Sequence, residues 1–151
     1  MSATVSKRRY VVDASIAFKW YLDDEEHVDE ARAILAAYVD NEIALLAPEH
    51  IRYEVPNALL VAANRQRLDL ATAKLAVSNF LATRISTAGD YAMLTSAFDY
   101  STRFNCAFYD ALYVVMADTF ECPFVHADRR LHNTLAGRFP REVWIEDYES
   151  S

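Results

Sequence analysis

Hydrophobic and polar positions follow two patterns along the chain, one typical of buried strands and one typical of amphipathic helices. Short apolar or β-branched runs predict strands at residues 10–12, 44–47, 85–87, 123–126 and 143–145. Apolar residues spaced three or four apart predict helices at residues 16–22, 26–40, 51–66, 70–84, 91–104 and 109–120. This alternation predicts a parallel sheet covered by helices on both faces.

Two residues bear on the ends of these helices. Ser15 is the expected N-cap of the first helix, because its hydroxyl can accept a hydrogen bond from a free N–H of the first turn. Pro56 is awkward inside the third helix unless it falls in the first turn, since proline has no N–H and clashes with the preceding turn.

The length and composition indicate one globular domain. The chain has 151 residues, 53% hydrophobic and 25% charged, which suffice for one core. No linker, repeat or low-complexity segment divides it. We expect one domain over residues 9–148, with residues 1–8 and 149–151 as terminal tails.

Charge and cysteine usage favour a cytosolic protein. Two cysteines, Cys106 and Cys122, form neither a disulfide framework nor a zinc motif. The basic start resembles a signal peptide, but Asp13 and Lys19 interrupt the apolar stretch that follows, and we expect no membrane segment. The net charge of -7 argues mildly against broad nucleic-acid binding. It is compatible with an enzyme that concentrates acids in one site.

Four acids lie at related places in the predicted fold. Asp13 and Asp128 each follow a strand directly, whereas Glu54 and Asp110 lie in the first turns of helices. The carboxyl ends of parallel strands line the binding crevice of an open sheet, and a helix leading away from that edge begins there. We therefore expect all four carboxylates at one edge.

Four carboxylates in one place repel one another unless protons or cations neutralise them. Ligands that are all oxygen favour Mg²⁺ or Mn²⁺, which can promote phosphoryl displacement. No Walker or dinucleotide motif accompanies them. Singly, each acid has a structural explanation as a helix cap, a turn residue, a first-turn acid or a solvated side chain. Their joint placement indicates function.

Four segments resemble the motifs of PIN domains. They are YVVDAS at residues 10–15, YEVPNAL at 53–59, YDALYVVMA at 109–117 and VHADRRL at 125–131. The resemblance extends over about residues 9–148, and within the family the chain is most similar to the VapC-type toxins of toxin–antitoxin pairs.

This resemblance implies a three-layer α/β/α sandwich with a central, mainly parallel sheet. It also implies Mg²⁺- or Mn²⁺-dependent cleavage of RNA, a homodimer and a cognate antitoxin. By position, the metal-binding and catalytic acids would be Asp13, Glu54, Asp110 and Asp128.

Three further residues are candidates for supporting roles. Ser15 would orient a metal ligand as well as cap its helix. Asn57 follows Glu54 by one helical turn and would support the site, or else lie at a solvent or dimer surface. His126 stands where the family usually has Thr or Ser; its imidazole would reach a phosphate, tune Asp128 or bond to the backbone.

Basic residues near the acids are candidate RNA contacts. Arg129 and Arg130 follow Asp128, Lys19 lies on the first helix, and Arg52 precedes Glu54 by two positions. Each would equally serve as a solvated surface charge.

Two other classes of function remain open on the sequence alone. A PIN-like module with a vestigial site would bind RNA or a partner without cleaving it. A dehalogenase-like phosphatase or a phosphoacceptor receiver would use a similar sheet. The phosphatase needs a second acid at the position of Ser15. The receiver needs a lysine late in the chain, whereas the last lysine here is Lys74.

Overall fold

The computed structural model describes residues 6–150. The five strands are β1 (Arg8–Val12), β2 (Ile43–Pro48), β3 (Ser86–Ala88), β4 (Phe124–His126) and β5 (Glu142–Trp144). The helices are α1 (Ala14–Lys19), α2 (Val28–Val39), α3 (Ile51–Asn64), α4 (Leu70–Ala82), α5 (Tyr91–Phe104), α6 (Phe108–Thr119) and α7 (Arg129–Leu135), followed by a 3₁₀ helix (Ile145–Asp147). The boundaries differ from the predicted ones by a few residues at most.

The strands form one sheet in the order β3-β2-β1-β4-β5, and each neighbouring pair is parallel. From the central strand β1, the chain adds β2 and β3 on one side and β4 and β5 on the other. The order therefore reverses between β1 and β4. In an open parallel sheet, the crevice at such a switch point is where ligands bind.

Burial shows that both faces of the sheet are covered. Tyr10, Val11 and Val12 are consecutive in β1, so they point to alternate faces, and all three are buried. Helix α6 contacts β1, β2 and β4 and also packs against α5. Its residues from Ala111 to Ala117 are all buried, as expected of a helix enclosed on all sides. The fold is an α/β/α sandwich.

Two predictions about helix ends were wrong. Asp13, not Ser15, is the N-cap of α1, and its carboxylate accepts a hydrogen bond from the Ser15 backbone N–H at 3.1 Å. Pro56 lies inside α3, beyond its first turn. The helix tolerates it by leaving the Arg52 carbonyl without its usual donor four residues on.

Both ends of the chain extend beyond the described residues. Of the predicted N-terminal tail, residues 1–5 lie outside the described part, and Arg8 already belongs to β1. Of the C-terminal tail, residue 151 also lies outside it. Within the described residues, none of the helices combines the length and apolarity needed to cross a lipid bilayer.

Candidate active site

The two strand-end acids lie on either side of the switch point. Asp13 directly follows β1, and its backbone N–H donates to the Val125 carbonyl of β4 at 3.1 Å. Asp128 lies just beyond β4 and caps α7, accepting from the Leu131 N–H at 3.2 Å. Asp128 therefore caps a helix, as an isolated acid in this position would, and it also lies at the crevice.

Ser15 links the two strand ends directly. Its hydroxyl donates to Asp13 Oδ2 at 2.5 Å and accepts from the backbone N–H of Ala127 at 2.9 Å. One side chain therefore fixes the Asp13 carboxylate and joins it to the turn that carries Asp128. This is the geometry of a residue that holds two acids in position.

Asp13 is buried, with only 6% of its surface exposed. Burial, with smaller contributions from the charges of Glu54 and Asp110, raises the pKa of its carboxyl to about 7, although the hydrogen bonds from Ser15 act in the opposite direction. The three acids therefore lie within electrostatic range of one another. Near neutral pH, the metal-free site holds a proton on Asp13 in a substantial fraction of molecules.

Asp110 lies in the first turn of α6, at the edge where that helix begins. Together with Asp128 and Arg130 it lines a cavity of about 150 Å³. Burial raises the pKa of Asp110 to about 6, and the charges of Asp128 and Glu54 act in the same direction. His50 and Arg130 act against this increase in the pKa of Asp110.

The Glu54 carboxylate contacts two residues that the sequence analysis did not single out. Its Oε1 accepts a hydrogen bond from the Tyr113 hydroxyl at 2.7 Å. His50 Nε2 lies 2.8 Å from the same oxygen, but it lacks the alignment of a hydrogen bond and is buried without another partner. The His50 and Tyr113 rings pack edge to face, 5.0 Å apart. Tyr113 belongs to the third PIN-like motif, which was its only signal in the sequence.

His126 does not face a phosphate-binding surface. Its side chain is fully buried; Nδ1 accepts from the Asp128 backbone N–H at 3.3 Å, and Nε2 lies 2.8 Å from Glu142 Oε1. The expectation of a phosphate contact is therefore wrong, because the ring turns inward toward β5. The expected backbone bond is present.

The other five candidate residues occupy five different environments. Arg130 borders the acidic cavity, whereas the Arg129 guanidinium lies 5.0 Å from the centre of the Trp144 ring. Arg52 lines a separate cleft of about 420 Å³ beside α4 and β3. Asn57 is exposed on α3. Lys19 is 8% exposed, so the expected surface charge for an RNA contact is not there.

The family assignment follows from comparison of the sequence. The PIN domain family model matches residues 10–135, which include all four acids. The chain belongs to the PIN domain family. Similar members are "VapC ribonuclease Mb0985" of Mycobacterium bovis and "Ribonuclease VapC9" of Mycobacterium tuberculosis, each 31% identical over 136 residues. Each alignment covers 88% of this chain and 96% of the relative.

Solved structures support the PIN fold. PAE2754 from Pyrobaculum aerophilum aligns with a TM-score of 0.66 and 23% identity, over 93% of both chains. VapC20 of Mycobacterium tuberculosis, described as a sarcin-ricin loop cleaving toxin, aligns with a TM-score of 0.62 and 14% identity, over 88% of this chain and 97% of VapC20. At these identities, the likeness concerns the fold.

The PIN domain's four acids fit a hard divalent cation. Their donors are carboxylate oxygens, the ligand type that Mg²⁺ and Mn²⁺ prefer. The raised pKa values of Asp13 and Asp110 show that the site disfavours its own negative charge. A bound cation would remove that penalty, so the residues present suit the ion that the family uses.

Proposed function

We propose that this protein is a metal-dependent endoribonuclease and the toxin of a toxin–antitoxin pair. Membership of the PIN domain family and the similarity to VapC ribonucleases supply the reaction class. The observation that carries the proposal is the meeting of Asp13, Glu54, Asp110 and Asp128 where β1 and β4 diverge.

The four acids together form the metal-binding set in this proposal. Asp13, Asp110 and Asp128 would hold Mg²⁺ or Mn²⁺, and Glu54 would complete the set from α3. When bound, such an ion supplies Lewis-acid stabilisation of a phosphoryl oxygen and activates water for in-line displacement. Ser15 keeps Asp13 oriented, and Tyr113 does the same for Glu54.

The protein's own groups also bear on binding of the RNA strand. Arg130 borders the cavity and is exposed, so its guanidinium can pair with a phosphate beside the scissile bond. Arg129 is exposed near Trp144 and can contact the next part of the backbone. These two cations offset the negative potential that the acids would otherwise present to RNA.

A homodimer and a protein antitoxin are parts of the same proposal. Helices α3, α5 and α6 and the end of β2 border an apolar groove of about 550 Å³, next to His50. Tyr53 and Tyr91 stand at this groove with 76% and 89% of their surfaces exposed. Such aromatic surface on a protein of this size supports an interface. We assign the groove to a second copy of the chain and place the protein in the cytoplasm with its RNA substrate.

RNA cleavage by the purified protein tests the activity. We expect cleavage of a structured RNA with Mn²⁺ or Mg²⁺, none in EDTA, and recovery when the metal is restored. Asp13→Asn should abolish cleavage while circular dichroism shows an intact fold. Equal cleavage in EDTA would contradict the proposal. Tight RNA binding without cleavage, indifferent to metal and to Asp13→Asn, would indicate a binding module with a vestigial site instead.

A further inference from the structure

Three side chains with metal-binding atoms converge on the far side of His126 from the acids. His126 comes from β4, His132 from α7 and Glu142 from β5. One ligand atom from each lies within 4.8 Å of the others. His126 Nε2 is 2.8 Å and His132 Nδ1 is 2.6 Å from the same oxygen, Glu142 Oε1.

The surroundings of this group suit a bound ion. His126 is fully buried, and 7% of the Glu142 side chain is exposed. The neutral imidazole ring is the form in which histidine binds metals. The His132 side chain is 28% exposed and leaves a route from solvent.

We propose that His126, His132 and Glu142 form a second metal site, for a transition-metal dication of the Zn²⁺ class. Two imidazoles and one carboxylate are the donor set of open zinc sites, with a further position free for water. Metal–ligand distances of about 2.1 Å in tetrahedral geometry separate two ligand atoms by roughly 3.4 Å. The contacts of 2.8 and 2.6 Å to Glu142 Oε1 would therefore open by roughly 0.6 and 0.8 Å.

This site differs in chemistry from the acidic pocket, by which we mean the four acids Asp13, Glu54, Asp110 and Asp128. The pocket offers only oxygen donors, which suit Mg²⁺ and Mn²⁺, whereas this group offers two nitrogens.

Metal binding at this site would affect Asp128 because it changes which ring nitrogen of His126 carries the hydrogen. In the metal-free protein His126 Nδ1 accepts from the Asp128 N–H, so the ring carries its hydrogen on Nε2 and donates it to Glu142. A metal on Nε2 requires the neutral ring to carry that hydrogen on Nδ1. The Asp128 N–H then loses its acceptor, and the turn bearing Asp128 must move.

Titration with Co²⁺ tests the site without using RNA cleavage, so its outcome is separate from that of the proposed function. Four- or five-coordinate Co²⁺ with imidazole ligands absorbs visible light more strongly than six-coordinate Co²⁺ bound by oxygen. We expect the native full-length chain to develop this absorption with one equivalent of Co²⁺, and Zn²⁺ to displace it.

Three variants identify the ligands. His132→Ala should weaken Co²⁺ binding at least about tenfold. Asp110→Asn, which alters only the acidic pocket, should leave it unchanged. His27→Asn is a matched control, because His27 also lies near Trp144, at 6.0 Å between ring centres, but outside the group. Asparagine tolerates its left-handed backbone, with φ of 60°.

Fluorescence of Trp144 gives a second readout if the absorption is weak. The His132 and Trp144 ring centres are 4.8 Å apart, so bound Co²⁺ should quench this tryptophan in both the native chain and His27→Asn. Absence of both signals in the native chain would overturn the proposal and leave the three residues as a hydrogen-bonded network. Equal signals in His132→Ala would overturn it as well.

Discussion

The hydroxyl of Tyr113, on the buried helix α6, donates a hydrogen bond to Glu54 Oε1 on α3 at 2.7 Å. Burial and the nearby charges of Asp13 and Glu54 raise the pKa of Tyr113, so the phenol keeps its proton and remains a donor. This contact fixes one acid of the site from inside the core. It joins segments that are far apart in the sequence.

Removing that hydroxyl should loosen the site without unfolding the protein. We expect Tyr113→Phe to lower Mn²⁺ affinity about tenfold, because Glu54 becomes free to rotate. The loss in unfolding free energy should be about 1 kcal/mol, the usual value for one hydrogen bond. Calorimetric Mn²⁺ titration and denaturant unfolding measure the two effects.

Tyr109→Phe is the matched control for this change. Tyr109 lies on the same helix, but its side chain is largely exposed. It should bind Mn²⁺ like the native protein. Equal losses in both variants would refute the role given to the Tyr113 hydroxyl.

We expect the Ser15 hydroxyl to be important for RNA cleavage, since it connects Asp13 with the Ala127 N–H. Ser15→Ala should reduce RNA cleavage about 10- to 100-fold, the range typical of groups that orient metal ligands. Ser15→Thr keeps the hydroxyl and should retain most of the activity. If the alanine and threonine variants cleave RNA equally well, the hydrogen bonds of the Ser15 hydroxyl do not contribute to cleavage.

The pH dependence of metal binding follows from the raised pKa values of Asp13, about 7, and Asp110, about 6. Below these values the carboxyls hold protons that a metal must displace, so Mn²⁺ affinity should rise between about pH 5.5 and pH 8. Calorimetry in buffers of different ionisation enthalpy should show proton release on binding near pH 6. Affinity that is constant over this range would contradict the pKa assignments.

The same shift makes a prediction about stability. The folded-state pKa of Asp13 lies above the unfolded value of 3.8, so the folded protein binds more protons in between, and the metal-free protein loses stability as pH rises from about 4 to 7. Asp13→Asn removes the charge and keeps an oxygen that can cap α1. At pH 8 without metal, it should raise the free energy of unfolding by about 2–4 kcal/mol.

Denaturant unfolding of the native and Asp13→Asn proteins, with EDTA present, measures this difference. The advantage of the variant should shrink toward pH 4, where the native carboxyl is protonated as well. If the variant is less stable than the native protein at pH 8, the ionised Asp13 carboxylate does not destabilise the folded state, and the prediction is wrong.

The sequence predicted the parallel arrangement, and the structure places all five strands in one parallel sheet. Asp13 and Asp128 could be located because each follows an apolar run directly, and local hydrophobicity is visible in the chain. The partners of Glu54 could not, because Tyr113 and His50 reach it through packing of separate helices. Local spacing carries no signal for such contacts.

The capping of α1 and the direction of His126 were also beyond the sequence. Asp13 and Ser15 are both good capping residues, and the backbone dihedral angles decide between them. The inward turn of His126 depends on β5, whose Glu142 accepts from it across the sheet. Neither the register of β4 on β5 nor the identity of the acceptor can be read from residues near position 126.

Mn²⁺-dependent cleavage of RNA by the native protein, Asp110→Asn and Asp29→Asn is the most direct test of the acidic pocket. Asp29 is an exposed first-turn acid of α2, so it matches Asp110 in local position but lies outside the pocket. We predict Mn²⁺-dependent cleavage by the native protein and Asp29→Asn, and at least about a hundredfold loss in Asp110→Asn with an unchanged circular dichroism spectrum. Cleavage by Asp110→Asn at the native rate and metal dependence would contradict the account.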